Sequence, residues 1–237
     1  MLTIIPDPLY GHIGAVLSAL IIVAGCIGLT LHREVFACVP RKDFFWYYTN
    51  LSTLLVMVYF SVASPFFYAH TDLYRFIPFA EFSITMSILL THTVFHFVIF
   101  PGVKPQLKHI AHDPETMMLA ANNLLVHYIV PWLTLLYYVL CTPGKNTLPI
   151  AAAPLWLLFP LTYASVVFLH ALTGRKIPGT DRLYPYPFMD TSLLGKKRVF
   201  LLCAALLTAC TLCSVGILFI VRALYAIWGG GKALFLI

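Results

Sequence analysis

The chain has 237 residues, of which 60% are apolar and only 10% charged, and its mean hydropathy is +0.88. A soluble domain carries about 25% charged residues, so this composition excludes one and points to an integral membrane protein. The net charge of +6 lies in short segments beside apolar runs, which is a signature of membrane orientation and not of nucleic-acid binding.

Six runs reach the roughly 20 residues that a bilayer core demands. They predict helices over 10–31, 44–69, 76–100, 117–141, 148–172 and 199–228. The expected fold is all-α: a polytopic membrane helix bundle of six transmembrane helices, one domain over 1–237. The first run is too long for a removable signal peptide, and no Lys or Arg precedes it. Pro149, Pro154 and Pro160 are expected to bend the fifth helix.

Lys and Arg set the expected orientation. Arg33, Arg41, Lys42, Lys104, Lys108, Arg175, Lys176, Arg182, Lys196, Lys197 and Arg198 fall on one side, eleven of the fifteen basic residues. Arg75, Lys145, Arg222 and Lys232 fall on the other. The positive-inside rule then predicts that 32–43, 101–116 and 173–198 are cytoplasmic, with both termini outside. Cys210 and Cys213 form a CxxC inside the last run. With no strand pattern nearby, they read as small apolar residues and not as a redox pair.

The second run opens on aromatics and then sets Thr49, Asn50, Ser52 and Thr53 close together. Hydroxyls and amides in lipid must find partners, so such a cluster points to function. Counted from Phe44 at 1.5 Å per residue, Thr49 lies roughly 9 Å deep. His96 and His92 lie about 7 and 13 Å from the end of the third run, and Asn122, Asn123 and His127 roughly 8 to 15 Å into the fourth. All belong to one layer of the same leaflet. Glu81, near the far end of the third run, belongs to another environment.

These residues admit structural readings. Thr49 can bond the Phe45 carbonyl one turn back. Asn123 can fix the His127 ring one turn on, or join two helices. His92 and His96 have two-point metal spacing, but HTVFH lacks a zinc-protease glutamate, and no Cys or carboxylate is expected at their depth. No metal and no cofactor is therefore expected. Two alternatives stay open: a metal-dependent membrane enzyme using His92, His96 and His127, and a transporter or lipid-binding protein with a polar path.

YYTNLS at Tyr47–Ser52, HYIVPWL at His127–Leu133 and RLYPYPFMD at Arg182–Asp190 resemble, in this order, the recurring blocks of the androgen-induced six-span membrane hydrolases and their microbial relatives. The resemblance covers roughly residues 10 to 225. It implies a threonine hydrolase that cleaves lipid esters, such as fatty acid esters of hydroxy fatty acids. It also implies that Thr49 is the nucleophile and His127 the base. The family's cytosolic termini are the reverse of what the charge count predicts here.

A Thr–His dyad needs further groups. Asn123 is a candidate to orient His127. Asn50, Asn122, Tyr47 and Tyr48 are candidates to donate to an oxyanion. His92, His96, Arg182, Tyr184, Tyr186 and Asp190 are candidates to line the pocket or hold substrate, Arg182 by pairing with a carboxylate. Tyr184 and Tyr186 also suit an interfacial aromatic belt. The partners implied are a lipid substrate and membrane lipids, with no nucleic acid; the oligomeric state is left open.

Overall fold

The computed structural model describes residues 8–31, 42–69, 74–103 and 114–229. Arg33, Arg41, Lys104, Lys108, Lys232 and Cys38 lie outside the described residues. All regular structure among the described residues is helical: α1 (Pro8–Thr30), α2 (Tyr48–Val58), α3 (Ser64–Ala69), α4 (Ile77–Val94), α5 (Phe100–Val103), α6 (Pro114–Leu124), α7 (Val130–Cys141), α8 (Leu158–Leu172), α9 (Thr191–Leu194) and α10 (Lys196–Gly229). Five helical stretches are long and apolar enough to cross a membrane: His12–Thr30, Ile77–Gly102, Met117–Cys141, Ile150–Leu172 and Lys196–Ile227. The second expected span is represented by the shorter apolar helix Tyr48–Ala63. Large apolar side chains such as Phe97, Leu169, Leu172, Phe200 and Ile227 stand outward. Hydrocarbon, not water, is the medium that suits such a surface.

Three π-helical turns interrupt the bundle: Tyr59–Ala63 between α2 and α3, Phe95–Ile99 between α4 and α5, and Leu125–Ile129 between α6 and α7. Each ends two residues before a proline, at Pro65, Pro101 and Pro131. Proline has no N–H for the carbonyl four residues back, and its ring crowds that carbonyl. The ladder widens by one residue at that point. The carbonyls so released belong to Ser61, Phe97 and His127.

The fifth run behaves differently from a bent α-helix. Pro149 precedes a 3-10 stretch, Ile150–Leu157, that contains Pro154, and only α8 is α-helical. The start of the second run also differs from expectation. Phe44–Trp46 is a separate 3-10 turn, Tyr47 is extended (φ −95°, ψ 123°), and the α-helix begins at Tyr48. Thr49 is therefore the second residue of α2, and not a full turn inside it. The break is held by Asn50, whose Nδ2 donates to the Phe44 carbonyl at 3.0 Å.

Two apolar cores hold the bundle. One joins Leu17, Ile21, Val56, Phe60, Ile88 and Val130, from α1, α2 with its π turn, α4 and α7. The other joins Tyr48, Phe82, Tyr138, Trp156, Met189 and Leu218, so it includes the 173–195 loop and α10. α1 passes close to the π turn of the fourth span: a Cβ on Gly28 would meet Val126 Cγ1 at 2.6 Å. Gly25 makes a similar approach to the flexible Met57 side chain at 2.8 Å.

At one end of the bundle Glu81 is buried and accepts a hydrogen bond from the Tyr59 hydroxyl at 2.9 Å. Lys145, also buried, donates to the Leu140 and Thr142 carbonyls. The separate environment expected for Glu81 is what the structure has. At the opposite end, the 173–195 loop lies across the start of α2. Tyr47 meets Tyr186 edge to face, Trp46 packs on His170, and a Cβ on Gly179 (φ +82°) would meet Lys42 Cβ at 3.5 Å.

Candidate functional site

A cavity of about 70 Å³ lies at the loop end of the bundle. Thr49 and His127, 78 residues apart in sequence, both line it. Its remaining walls are mainly apolar: Leu90, Val94 and Ile99 from the third span, Pro160 and Ala164 from α8, and Leu206 and Leu207 from α10.

His127 is held from two sides. Its imidazole stacks flat on Phe95, with ring centroids 3.8 Å apart and planes 9° from parallel. Its backbone carbonyl, released by Pro131, lies 2.7 Å from His92 Nδ1. A carbonyl only accepts, so His92 carries its proton on Nδ1. The His92 ring in turn meets Tyr128 and Trp132 edge to face and stacks with His96. His92 and His96 thus buttress the π turn and are not among the residues lining the cavity. His96 is exposed, with Nδ1 3.0 Å from the Tyr128 hydroxyl.

Thr49 is fixed through its backbone. Thr91 and Ser52 hydroxyls are 2.7 Å apart, and Ser52 donates its proton to the Thr49 carbonyl at 3.1 Å. Ser52 has only one proton, so Thr91 is the donor to Ser52. The Thr49 N–H donates to the Tyr186 hydroxyl at 3.4 Å. Neighbouring hydroxyls are turned to structure: Tyr48 donates to the Ser87 carbonyl, and Tyr163 to the Trp46 carbonyl at 2.7 Å.

The other sequence candidates separate into groups. Asn50 spends its amide on Phe44, and Asn122 is buried away from the cavity lining. Asn123 and Tyr47 are half-buried and also outside the lining. Arg182, Tyr184, Tyr186 and Asp190 line a second, more polar cavity in the loop. There Arg182 is exposed, the Tyr184 hydroxyl lies 2.7 Å from Thr191 Oγ1, and Asp190 caps α9. Burial raises the Asp190 pKa, but hydrogen bonds from Ser192 and from the Ser192 and Leu193 amides outweigh it, leaving the carboxyl below its ordinary range. Tyr186 belongs to both cavities and forms the wall between them. Burial pushes its phenol above the ordinary value, against hydrogen bonds with the Thr49 side chain and the Thr49 and Tyr48 backbone.

Three features were not foreseen. Phe95 is the partner of the His127 ring, which periodicity alone does not reveal. Tyr163 ties α8 to the break before α2. Cys203 lines the cavity, against the expectation that no cysteine shares the depth of the histidines. Cys210 is buried, as a small apolar residue is, whereas Cys213 is exposed on the outer face of α10. Among the described residues no three His, Cys, Asp or Glu side chains converge as metal ligands. His92 braces the backbone of the π turn through the His127 carbonyl.

No protein-family model, curated protein or solved structure matches this chain.

Proposed function

We propose that the protein is a multi-pass membrane hydrolase that cleaves lipid esters with Thr49 as nucleophile and His127 as base. The observation that carries this reading is that one mainly apolar cavity is lined by both Thr49 and His127, which come from distant helices. The resemblance of YYTNLS, HYIVPWL and RLYPYPFMD to the androgen-induced six-span hydrolases supports the same two residues. The helix Tyr48–Ala63, continued by α3, is then the remaining membrane span of a six-span bundle.

Thr49 Oγ attacks the ester carbonyl carbon while His127 takes the hydroxyl proton. The tetrahedral intermediate collapses as the alcohol oxygen leaves, and that oxygen receives the proton from His127. Water then attacks the acyl-threonine, again losing its proton to His127, and the acid leaves as Thr49 is restored. One ester and one water give one acid and one alcohol, so no further reactant is required.

The apolar walls of α8 and α10 suit an acyl chain. The side of the cavity lined by Tyr186, Phe188 and Met189 of the 173–195 loop suits the entry of water and the exit of a polar product. In this reading, 32–43, 101–116 and 173–198 face the cytoplasm and the termini lie outside, as the basic residues direct. Labelling of the detergent-purified chain by a fluorophosphonate probe tests the assignment. The wild type should label at Thr49, and Thr49→Ala should not; equal labelling of both would refute the nucleophile.

A further inference from the structure

The chemistry above leaves open which group stabilises negative charge on the carbonyl oxygen in the tetrahedral intermediate. Five hydroxyl-bearing residues line the cavity: Tyr48, Thr49, Thr91, Tyr163 and Tyr186. Tyr48 donates to the Ser87 carbonyl, Tyr163 to the Trp46 carbonyl, and Thr91 to Ser52, whose own proton goes to Thr49. Asn50 is committed to Phe44. Thr49 itself is the attacking group. Tyr186 is different: its oxygen receives the Thr49 N–H, which leaves its own proton to give.

We infer that Tyr186 is a catalytic residue whose hydroxyl donates to the carbonyl oxygen of the substrate as Thr49 attacks. This rests on the assignment of Thr49 as nucleophile. The position is suitable because the Tyr186 oxygen sits at the first turn of α2 beside Thr49, where substrate oxygen must come when the carbonyl carbon meets Thr49 Oγ. The phenol is buried and its pKa lies above the ordinary value, so at neutral pH it keeps the proton it must donate. The Thr49 amide, accepted by the same oxygen, polarises the hydroxyl and strengthens it as a donor. The ring is stacked on Phe188 and set edge-on to Tyr47, so the hydroxyl is placed before reaction and needs little reorganisation. The loop from α8 to α10 thereby contributes to the chemistry as well as covering it.

The test is hydrolysis of p-nitrophenyl butyrate by the full-length chain in detergent, comparing wild type, Thr49→Ala and Tyr186→Phe, each checked by thermal melting. Tyr186→Phe should lower kcat about 10²- to 10³-fold, as loss of one oxyanion donor does, with KM changed by less than about threefold. The matching thionoester supplies a readout that a packing role would not move. Sulfur accepts hydrogen bonds poorly, so the wild type should prefer the oxygen ester, and Tyr186→Phe should lose most of that preference. A kcat for Tyr186→Phe close to wild type, while Thr49→Ala is inactive, overturns the Tyr186 role and leaves the nucleophile standing. A lowered kcat with the oxygen-to-sulfur preference intact overturns it as well. Turnover by Thr49→Ala would instead refute the nucleophile itself. Should Tyr186→Phe melt early, 3,5-difluorotyrosine at position 186 keeps ring and hydroxyl but sharpens the donor. A kcat that ignores this change overturns the inference.

Discussion

The two ends of the bundle bury polar groups in opposite ways. At the Glu81 end, the carboxylate, the Tyr59 hydroxyl and the Lys145 ammonium are packed among neighbouring side chains and backbone carbonyls. At the Thr49 end, comparable groups face empty space: a hydroxyl, an imidazole and a phenol line one cavity. Burial of polarity is therefore not itself a sign of function in this protein. What separates the ends is whether the polar groups are turned toward each other or toward a space that a ligand can fill. The Glu81 end joins helices, and the Thr49 end lines a cavity.

The largest expected effect breaks the Thr49 end. Thr49→Ala and His127→Ala should each reduce ester turnover by roughly 10⁴- to 10⁶-fold while the melting temperature stays near wild type, and the double variant should be scarcely worse than either single one. Thr49→Ser should keep part of the activity, since the hydroxyl reacts and the methyl only restricts the rotamer. Steady-state assays beside melting curves would show whether activity and stability separate in this way. An additive double variant would indicate that the two residues do not act in one step.

The mirror experiment is Glu81→Ala. It leaves the Tyr59 hydroxyl buried without this acceptor, a loss of about 1–3 kcal/mol, or roughly 2 to 12 °C in melting temperature for a chain of this size. Fluorophosphonate labelling per folded molecule should remain as in wild type. If labelling falls while the fold holds, the two ends are coupled and the contrast between them fails.

The helix contacts provide a finer comparison. Gly28→Ala places a methyl group against Val126 Cγ1, a β-branched side chain with little freedom, in the π turn that carries His127. It should cost about 1–3 kcal/mol and lower turnover. Gly25→Ala meets the mobile end of Met57 and should cost less. Melting and activity measured on the pair would show whether α1 supports the site specifically.

The smallest effect concerns the loop. Asp190 has a depressed pKa in the folded state, so its stabilisation is present above the ordinary carboxylate pKa and fades as pH falls through the lower folded value. Asp190→Asn should lower the melting temperature slightly at pH 7, by less than about 1 kcal/mol for so exposed a cap. The difference from wild type should shrink as pH falls through the depressed folded value and vanish below it, where both states of Asp190 are protonated. A pH series of melting curves would detect it.

Much of this organisation was legible in the sequence. Apolar run length located the helices, and depth counting from their ends brought Thr49 and His127 to one layer. The break before Tyr48 was not legible, because no Ser, Thr, Asp or Asn stands at Tyr47 to signal a helix start. The reversal is made by Asn50 reaching back to Phe44, and the same asparagine had suggested an oxyanion donor. Tyr186 was visible only as one of two tyrosines in YPYP. Which of them meets α2 depends on how the loop folds over the bundle, a long-range fact that residue spacing does not encode. The π turns, by contrast, were readable in retrospect: each has a proline two residues on, and HYIVP sets Pro131 four residues after His127.

The π turn at Leu125–Ile129 also has an angular meaning. It holds one residue more than an α-helix of the same height requires, and one residue corresponds to about 100° of rotation. Removing a single codon there, with Pro131 replaced so that the ladder can close, would not break the span. It would leave the faces of α6 and α7 nearly where they are, because the wider turn already absorbs the extra residue, and would carry a different side chain to the place of His127. The three proline-backed turns are points at which the sequence can shift by one residue while the helix faces hold. At this one, the side chain offered to the cavity can change while the helix stays continuous.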